Sequence, residues 1–285
     1  MQKITIIGVG LLGGSVGLAV KGGPGGGRVV GCGHREASLI DAQRLGAVDG
    51  WTLDAADAVR DADLVVVCVP VGQLPAWLAR IAPHLKPGAV VTDVGSTKAA
   101  IVAAGEAAVK GPAYFVGSHP MAGGSQSGVA AARADLFAGA TCVVTPTEQT
   151  DANALAKIEA FWRQLGMRIV RQNPSEHDRL VALVSHLPHA AAAALVAVQS
   201  PASVDLRGRG YTDTTRVAAG DAGLWRDIFL DNKTNVVEAI DRFGAELKRL
   251  RDLIAASDAE SLTAWLAAQA KAREAITPPG PNSDA

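Results

Sequence analysis

Cysteine is scarce in this 285-residue chain: Cys32, Cys68 and Cys142 are the only three, and no Cys-x-x-Cys spacing occurs. An odd count without that spacing excludes a disulfide framework. Each cysteine lies in an apolar, β-like run (VVGCG, VVVCVP, TCVVT) with no basic neighbour. That predicts small buried hydrophobes rather than reactive thiolates. Runs of basic residues are missing too, and the net charge is −1. Nucleic acid and an anionic membrane are therefore excluded as main partners. No uninterrupted apolar run approaches about 18 residues, so no segment is expected to span a bilayer. Nothing at the start reads as a targeting segment, because MQKITIIGVG opens directly as a strand; a cytoplasmic location is expected. Internal repeats are also absent.

What is present is apolar material, 48% of the residues, enough for a sizeable core. The length suggests two domains or one large one. Over residues 1–173, short apolar runs alternate with helical stretches. KITIIGVG, RVVGCG, DLVVVCVP, AVVTDVG, AYFVG, ATCVVTP and MRIVRQ read as strands, and residues 11–21 as a helix. Fully apolar strands separated by helices predict a parallel sheet covered on both faces. After Asn173-Pro174 strand signals nearly vanish, and long Ala- and Leu-rich stretches predict an all-α domain over 174–276. The reading is an α/β protein: an N-terminal doubly wound Rossmann domain, then a helical domain, then a disordered tail over 277–285. GGPGGG at 22–27 reads as a flexible connection without function. Several of the helices are apolar around much of their circumference, as expected if they are buried between subunits.

Gly8-Val9-Gly10-Leu11-Leu12-Gly13 is a G-x-G-x-x-G pattern between a strand and a helix. In that setting Gly8 permits a tight turn, Gly10 lets backbone approach a pyrophosphate, and Gly13 allows close helix–strand packing. The helix start presents free N–H groups to the phosphates. Leu11 and Leu12 join this cofactor set, as do Val69 and Pro70 at the carboxyl end of a later strand. The acid that would select NAD is missing at the end of the second strand, where His34-Arg35 occupy the turn and Glu36 follows late. Arg35 can hold a 2′-phosphate by a charge-assisted pair, so NADP is favoured over NAD, with a solvated basic turn as the plain alternative.

GSHPMAGG (117–124) places a histidine against a proline among small residues. It reads as a loop that holds one imidazole near something else. In a doubly wound sheet the carboxyl ends of strands line the ligand crevice, so Ser96 and His119, each just past a strand, should face the nicotinamide. His186 and His189, in SHLPH, share one helical face. No third ligand stands nearby, so no metal is expected.

Taken in order, GVGLLGGS, DVGSTK, GSHPMAG, SHLPH and TDTTR resemble the prephenate/arogenate dehydrogenase family, from residue 3 to about 270. The resemblance implies oxidative decarboxylation of a cyclohexadienyl ring, with hydride transfer to NADP or NAD, in tyrosine biosynthesis. Prephenate would give 4-hydroxyphenylpyruvate, and arogenate would give tyrosine. By the same resemblance His119 accepts the hydrogen of the 4-hydroxyl, and Ser96 shares that bond and orients His119. Arg216 takes a substrate carboxylate in its guanidinium fork, or else pairs with Asp213 or Asp221 at the surface. Asp213 buttresses that segment, and His189 touches substrate. Trp225 either walls the pocket or sits in the core. Lys98 caps or neutralises charge near the crevice, and His186 satisfies a buried hydrogen bond. His34, His84 and His177 look peripheral to the chemistry. No chorismate mutase segment or ACT module is expected, and a homodimer through the helical domain is.

The His34-Arg35 turn resembles arogenate-type members, whereas SHLPH and LWRDI resemble prephenate-type ones; an enzyme accepting both would reconcile them. Three alternatives stand beside this reading. One is an arogenate-specific NADP enzyme. Another is a β-hydroxyacid or imine dehydrogenase, disfavoured because no lysine lies between 175 and 232. The third is a non-catalytic dinucleotide sensor, disfavoured by the joint presence of His119, Ser96 and Arg216.

Overall fold

A computed structural model describes residues 1–23, 27–124 and 126–276. The middle of the GGPGGG connection and the tail from residue 277, both read above as flexible or disordered, lie outside the described residues. Strand β1 (Lys3–Ile7) leads into helix α1 (Leu11–Gly22), β2 (Arg28–Cys32), α2 (Glu36–Arg44), β3 (Gly50–Thr52) and α3 (Ala55–Val59). Next come β4 (Leu64–Val67), α4 (Leu74–Ile81), β5 (Val90–Asp93), α5 (Ala99–Ala108), β6 (Tyr114–Pro120), β7 (Thr141–Thr145), α6 (Ala152–Gln164) and β8 (Arg168–Arg171). Helices then take over: α7 (Pro174–Val181), α8 (Leu187–Ala197), α9 (Arg209–Thr215), α10 (Ala222–Asp231), α11 (Lys233–Ala255) and α12 (Ala259–Ala275). The chain forms two compact units, Met1–Val236 and Val237–Ala285, and every site residue discussed below belongs to the first.

The strands form one sheet in the order β3-β2-β1-β4-β5-β6-β7-β8. Successive residues of β4 serve opposite faces. Leu64 and Val66 join one buried apolar cluster with Ile4, Ile6 and Val16, while Val65 and Val67 join another with Ile7, Leu74 and Leu78. This two-sided burial is why these strands read as unbroken apolar runs. All seven strand runs read from the sequence are present. The three-residue β3 was not among them, being too short to leave a pattern.

Two expectations need correction. The sheet is not wholly parallel, because β6 and β7 pair antiparallel. Among the described residues between them there is only a 3-10 turn at Val129–Ala131, and no crossover helix returns the chain over the sheet. For the same reason GSHPMAGG is not simply a loop: His119 and Pro120 belong to β6, opposite Val143 and Cys142. Only the stretch from Met121 onward leaves the strand.

The change of texture at Asn173-Pro174 is a helix start. The Asn173 side chain accepts hydrogen bonds from the backbone of Ser175 and Glu176, and Pro174 occupies the first turn. From Pro174 to Ala197 the chain stays helical, with one π turn at Ala182–His186 between α7 and α8. By length and composition alone that span is long and apolar enough to cross a membrane, although no uninterrupted apolar run of that length occurs in it. It carries four buried polar side chains, His177, Asp178, His186 and His189.

Candidate active site

The carboxyl ends of β1 and β4, where strand order reverses, form the expected crevice. Gly8 has φ +88°, in the left-handed region, and a Cβ there would overlap the carbonyl of Cys68. A Cβ at Gly13 would overlap the carbonyl of Gly8, so the helix sits hard against the turn. Space around Gly10 is open. Helix α1 begins with neither a side-chain cap nor an acid in its first turn, leaving its N–H groups for a ligand.

Two cavities meet at this turn. One, about 270 Å³, is lined by Gly8, Gly10, His34, Arg35, Ser38 and Trp77, among others. The second, about 380 Å³, is lined by Leu11, Leu12, Ser96, Ala122, Asp221 and Trp225, among others. Gly10, Cys68, Val69, Pro70 and Gly128 belong to both walls, so a ligand can run from one chamber into the other. Arg35 is exposed and makes no ion pair among the described residues, while Glu36 begins α2 away from the wall. The three thiols are pushed up by burial, Cys32 to about 11, which agrees with inert cysteines.

His119 is 7% exposed at the end of β6. Its Nδ1 lies 2.9 Å from Nε2 of His177, whose Nδ1 lies 2.8 Å from Oδ1 of Asp178. The Asp178 carboxylate also accepts the backbone N–H of Lys98 (2.7 Å) and Ala99 (2.8 Å), where α5 begins. His177 is therefore not peripheral. Among the described residues it, and not Ser96, makes the hydrogen bond that orients His119. No sequence signal marks it, since it stands 58 positions away in PSEHDRL, outside every motif.

Further along the same helical span, His186 accepts at Nδ1 from the Asn232 amide (3.2 Å), which also donates to the Asp178 carbonyl (2.7 Å). The expected buried hydrogen bond of His186 thus exists, although its Nε2 has no partner. His189 stacks on Trp225, ring centroids 3.5 Å apart and 13° from parallel. Trp225 lines the second chamber and also packs against the buried apolar cluster around Ile228. Beneath the site, the fully buried Lys98 ammonium pairs with the fully buried Asp93 carboxylate, neutralising charge as expected. Asp93 in turn accepts the N–H of Gly95 (2.8 Å) and Ser118 (3.1 Å), fixing the residues beside Ser96 and His119.

Burial holds the His119 imidazole well below its ordinary range, helped by His177, Lys98 and His186 nearby. Burial likewise lowers His186 to about 4 and depresses His189. The unfolded chain therefore binds more protons than the folded one between about 6.5 and 4, and stability falls as pH falls through that window. Urea midpoints at constant ionic strength should drop between pH 7 and pH 5; a flat profile would mean these rings are not buried neutral.

The structure does not bring every expected residue together. Arg216 and Asp213 are exposed, the first on a 3-10 turn and the second in α9, and neither lines the two chambers. Neither makes an ion pair among the described residues, so the surface-pair alternative for Arg216 is not seen. No group of three potential metal ligands occurs among the described residues.

Comparison with known proteins agrees with this layout. Residues 16–171 match the family "Prephenate dehydrogenase, nucleotide-binding domain", and residues 173–268 match "Prephenate dehydrogenase, dimerization domain". A prephenate dehydrogenase of Bacillus subtilis is 34% identical over 92% of this chain and 72% of its own length. A cyclohexadienyl dehydrogenase of Zymomonas mobilis is 35% identical over 96% of each chain. Among solved structures, prephenate dehydrogenase from A. aeolicus in complex with hydroxyphenyl propionate and NAD+ superposes with a TM-score of 0.90. It is 33% identical and covers 97% of this chain and 99% of its own.

Proposed function

The chain belongs to the prephenate dehydrogenase family, and from that premise we propose that it oxidatively decarboxylates prephenate, and arogenate as well, with NADP favoured over NAD. The observation that carries the reading is the pair of joined chambers at the glycine turn, together with a buried histidine, His119, held by His177 at the end of β6.

A dinucleotide fits the residues present. Gly8, Gly10 and Gly13 leave a cradle that side chains would fill, Leu11 and Leu12 line its second half, and Val69 and Pro70 face both halves. His34 and Arg35 line the first chamber, and Arg35 would hold a 2′-phosphate by a charge-assisted pair. When bound, the nicotinamide supplies a hydride acceptor.

The protein's own part is positioning and proton handling. Asp178 accepts, so His177 donates to it from Nδ1 and accepts at Nε2 from Nδ1–H of His119. His119 is left with a lone pair at Nε2, the form that can accept the hydrogen of the substrate's 4-hydroxyl as hydride leaves the same ring carbon. Ser96 lines the nicotinamide end and bonds the same hydroxyl. The His189–Trp225 stack bounds the ring, and Arg216, with Asp213 buttressing its segment, takes a carboxylate.

Exposed apolar residues recur along α11 at Val237, Ile240, Phe243, Leu247 and Ile254. This stripe and the dimerization-domain match support a homodimer. The same reading places the enzyme in the cytoplasm.

Absorbance at 340 nm with each substrate and each cofactor tests the proposal, and no reduction in any combination would favour a dinucleotide sensor. Arg35→Ala should weaken NADP binding by about 10- to 100-fold, the worth of a charged hydrogen bond, and leave NAD binding nearly unchanged. Equal loss for both cofactors would remove Arg35 from phosphate recognition.

A further inference from the structure

We propose that the His177–Asp178 pair is a proton store for the reaction: the proton that His119 takes from substrate is matched by one passed on to His177, and it returns when the product ring forms. The inference rests on the dehydrogenase reading above and extends it to a residue that does not touch substrate.

Geometry sets the direction of transfer. His119 Nδ1–H points at His177 Nε2 across 2.9 Å, in the tautomers that Asp178 imposes. When Nε2 of His119 gains the hydroxyl proton, its Nδ1–H bond can break as an N–H bond forms at Nε2 of His177. One proton enters the pair of rings, no electrons move between them, and the positive charge ends on His177.

Charges around the two rings make that the better resting place. His119 is near the Lys98 ammonium, His177 and His186, and the Asp93 carboxylate is engaged by Lys98. His177 instead has the Asp178 carboxylate at 2.8 Å. That carboxylate is held by two backbone N–H groups at the start of α5, where the helix dipole also favours negative charge. Both His177 and Asp178 are buried, so the proton does not leave to solvent.

The balance closes within one turnover. Hydride goes from the ring carbon to the nicotinamide, and the hydroxyl proton goes to His119. Loss of carbon dioxide leaves an electron pair, which the ring oxygen receives as the ring becomes aromatic. The stored proton then retraces its path to that oxygen, giving the phenol and restoring both neutral histidines. His177 is thus a positioning and relay residue rather than a catalytic one.

Two measurements test this. In the wild-type protein, ¹⁵N-histidine NMR should show His119 protonated at Nδ1 alone at neutral pH, and the first proton gained on acidification should appear on His177. His177→Gln keeps an acceptor oxygen near the position of Nε2 but cannot hold a proton. We expect its turnover to fall by about tenfold or more, within the range of general acid–base effects, with KM changed by less than about threefold. The acid limb of its kcat–pH profile should also move to lower pH, because the cation must now sit on His119 without a carboxylate beside it. A purely structural role would lower the rate and leave that limb in place. An unmoved limb, or a first proton found on His119, overturns the proposal. A wild-type enzyme inactive on both substrates would instead sink the dehydrogenase reading, and the NMR titration would still decide the tautomers and the relay.

Discussion

His119→Asn should lower turnover by about 10²- to 10⁴-fold, the usual span for removing a general base, while the affinity for NADP or NAD stays within about twofold. The two effects separate because the base and the cradle are different parts of the molecule. The proposed cofactor contacts come from the turn after β1 and the walls shared by the two chambers, and His119 lines neither chamber. Asparagine can remain in the strand opposite Val143, and its amide can still donate toward His177 from about the position of Nδ1. What disappears is the lone pair at Nε2. Pre-steady-state absorbance would show the loss in the hydride-transfer step, and titration of cofactor fluorescence would show binding retained. If turnover persisted, the base would have to be another group.

Lys98→Met should be the most destabilising single change of those considered, costing about 3–5 kcal/mol in urea unfolding. Lys98 and Asp93 are both fully buried and bonded to one another. Removing the ammonium leaves a carboxylate without a countercharge, and the N–H donors of Gly95 and Ser118 alone offset only part of that cost. The double variant Lys98→Met/Asp93→Asn should recover much of the loss, because the two sites are coupled. An additive result would mean that the charges do not stabilise each other. Activity should suffer beyond stability, since Asp93 fixes the residues adjoining Ser96 and His119.

Much of this architecture is legible in the residues. The glycine pattern locates the dinucleotide turn because both Gly8 and Gly13 are forced by overlap with backbone. Double-sided burial makes the strands readable as apolar runs. Other features leave no local trace. Nothing in the run of residues 114–120 distinguishes a strand that pairs antiparallel on one side from a parallel one, so β6 was expected to end before His119. His177 escaped because its meaning lies wholly in a contact across 58 residues. The Asp178 carboxylate bonds even farther, 80 residues back to Lys98. Arg216 shows the converse: its motif is plain, yet its exposed side chain is not among those lining either chamber.

The partition of the crevice has a consequence for redesign. Cys68, Val69 and Pro70 border both chambers; altering them to suit one end of a dinucleotide disturbs the other. Ser38, Gln73 and Trp77 border only the first chamber, as His34 and Arg35 do. On the proposed placement of the cofactor, substitutions at those five positions should change coenzyme preference while the second chamber keeps its shape.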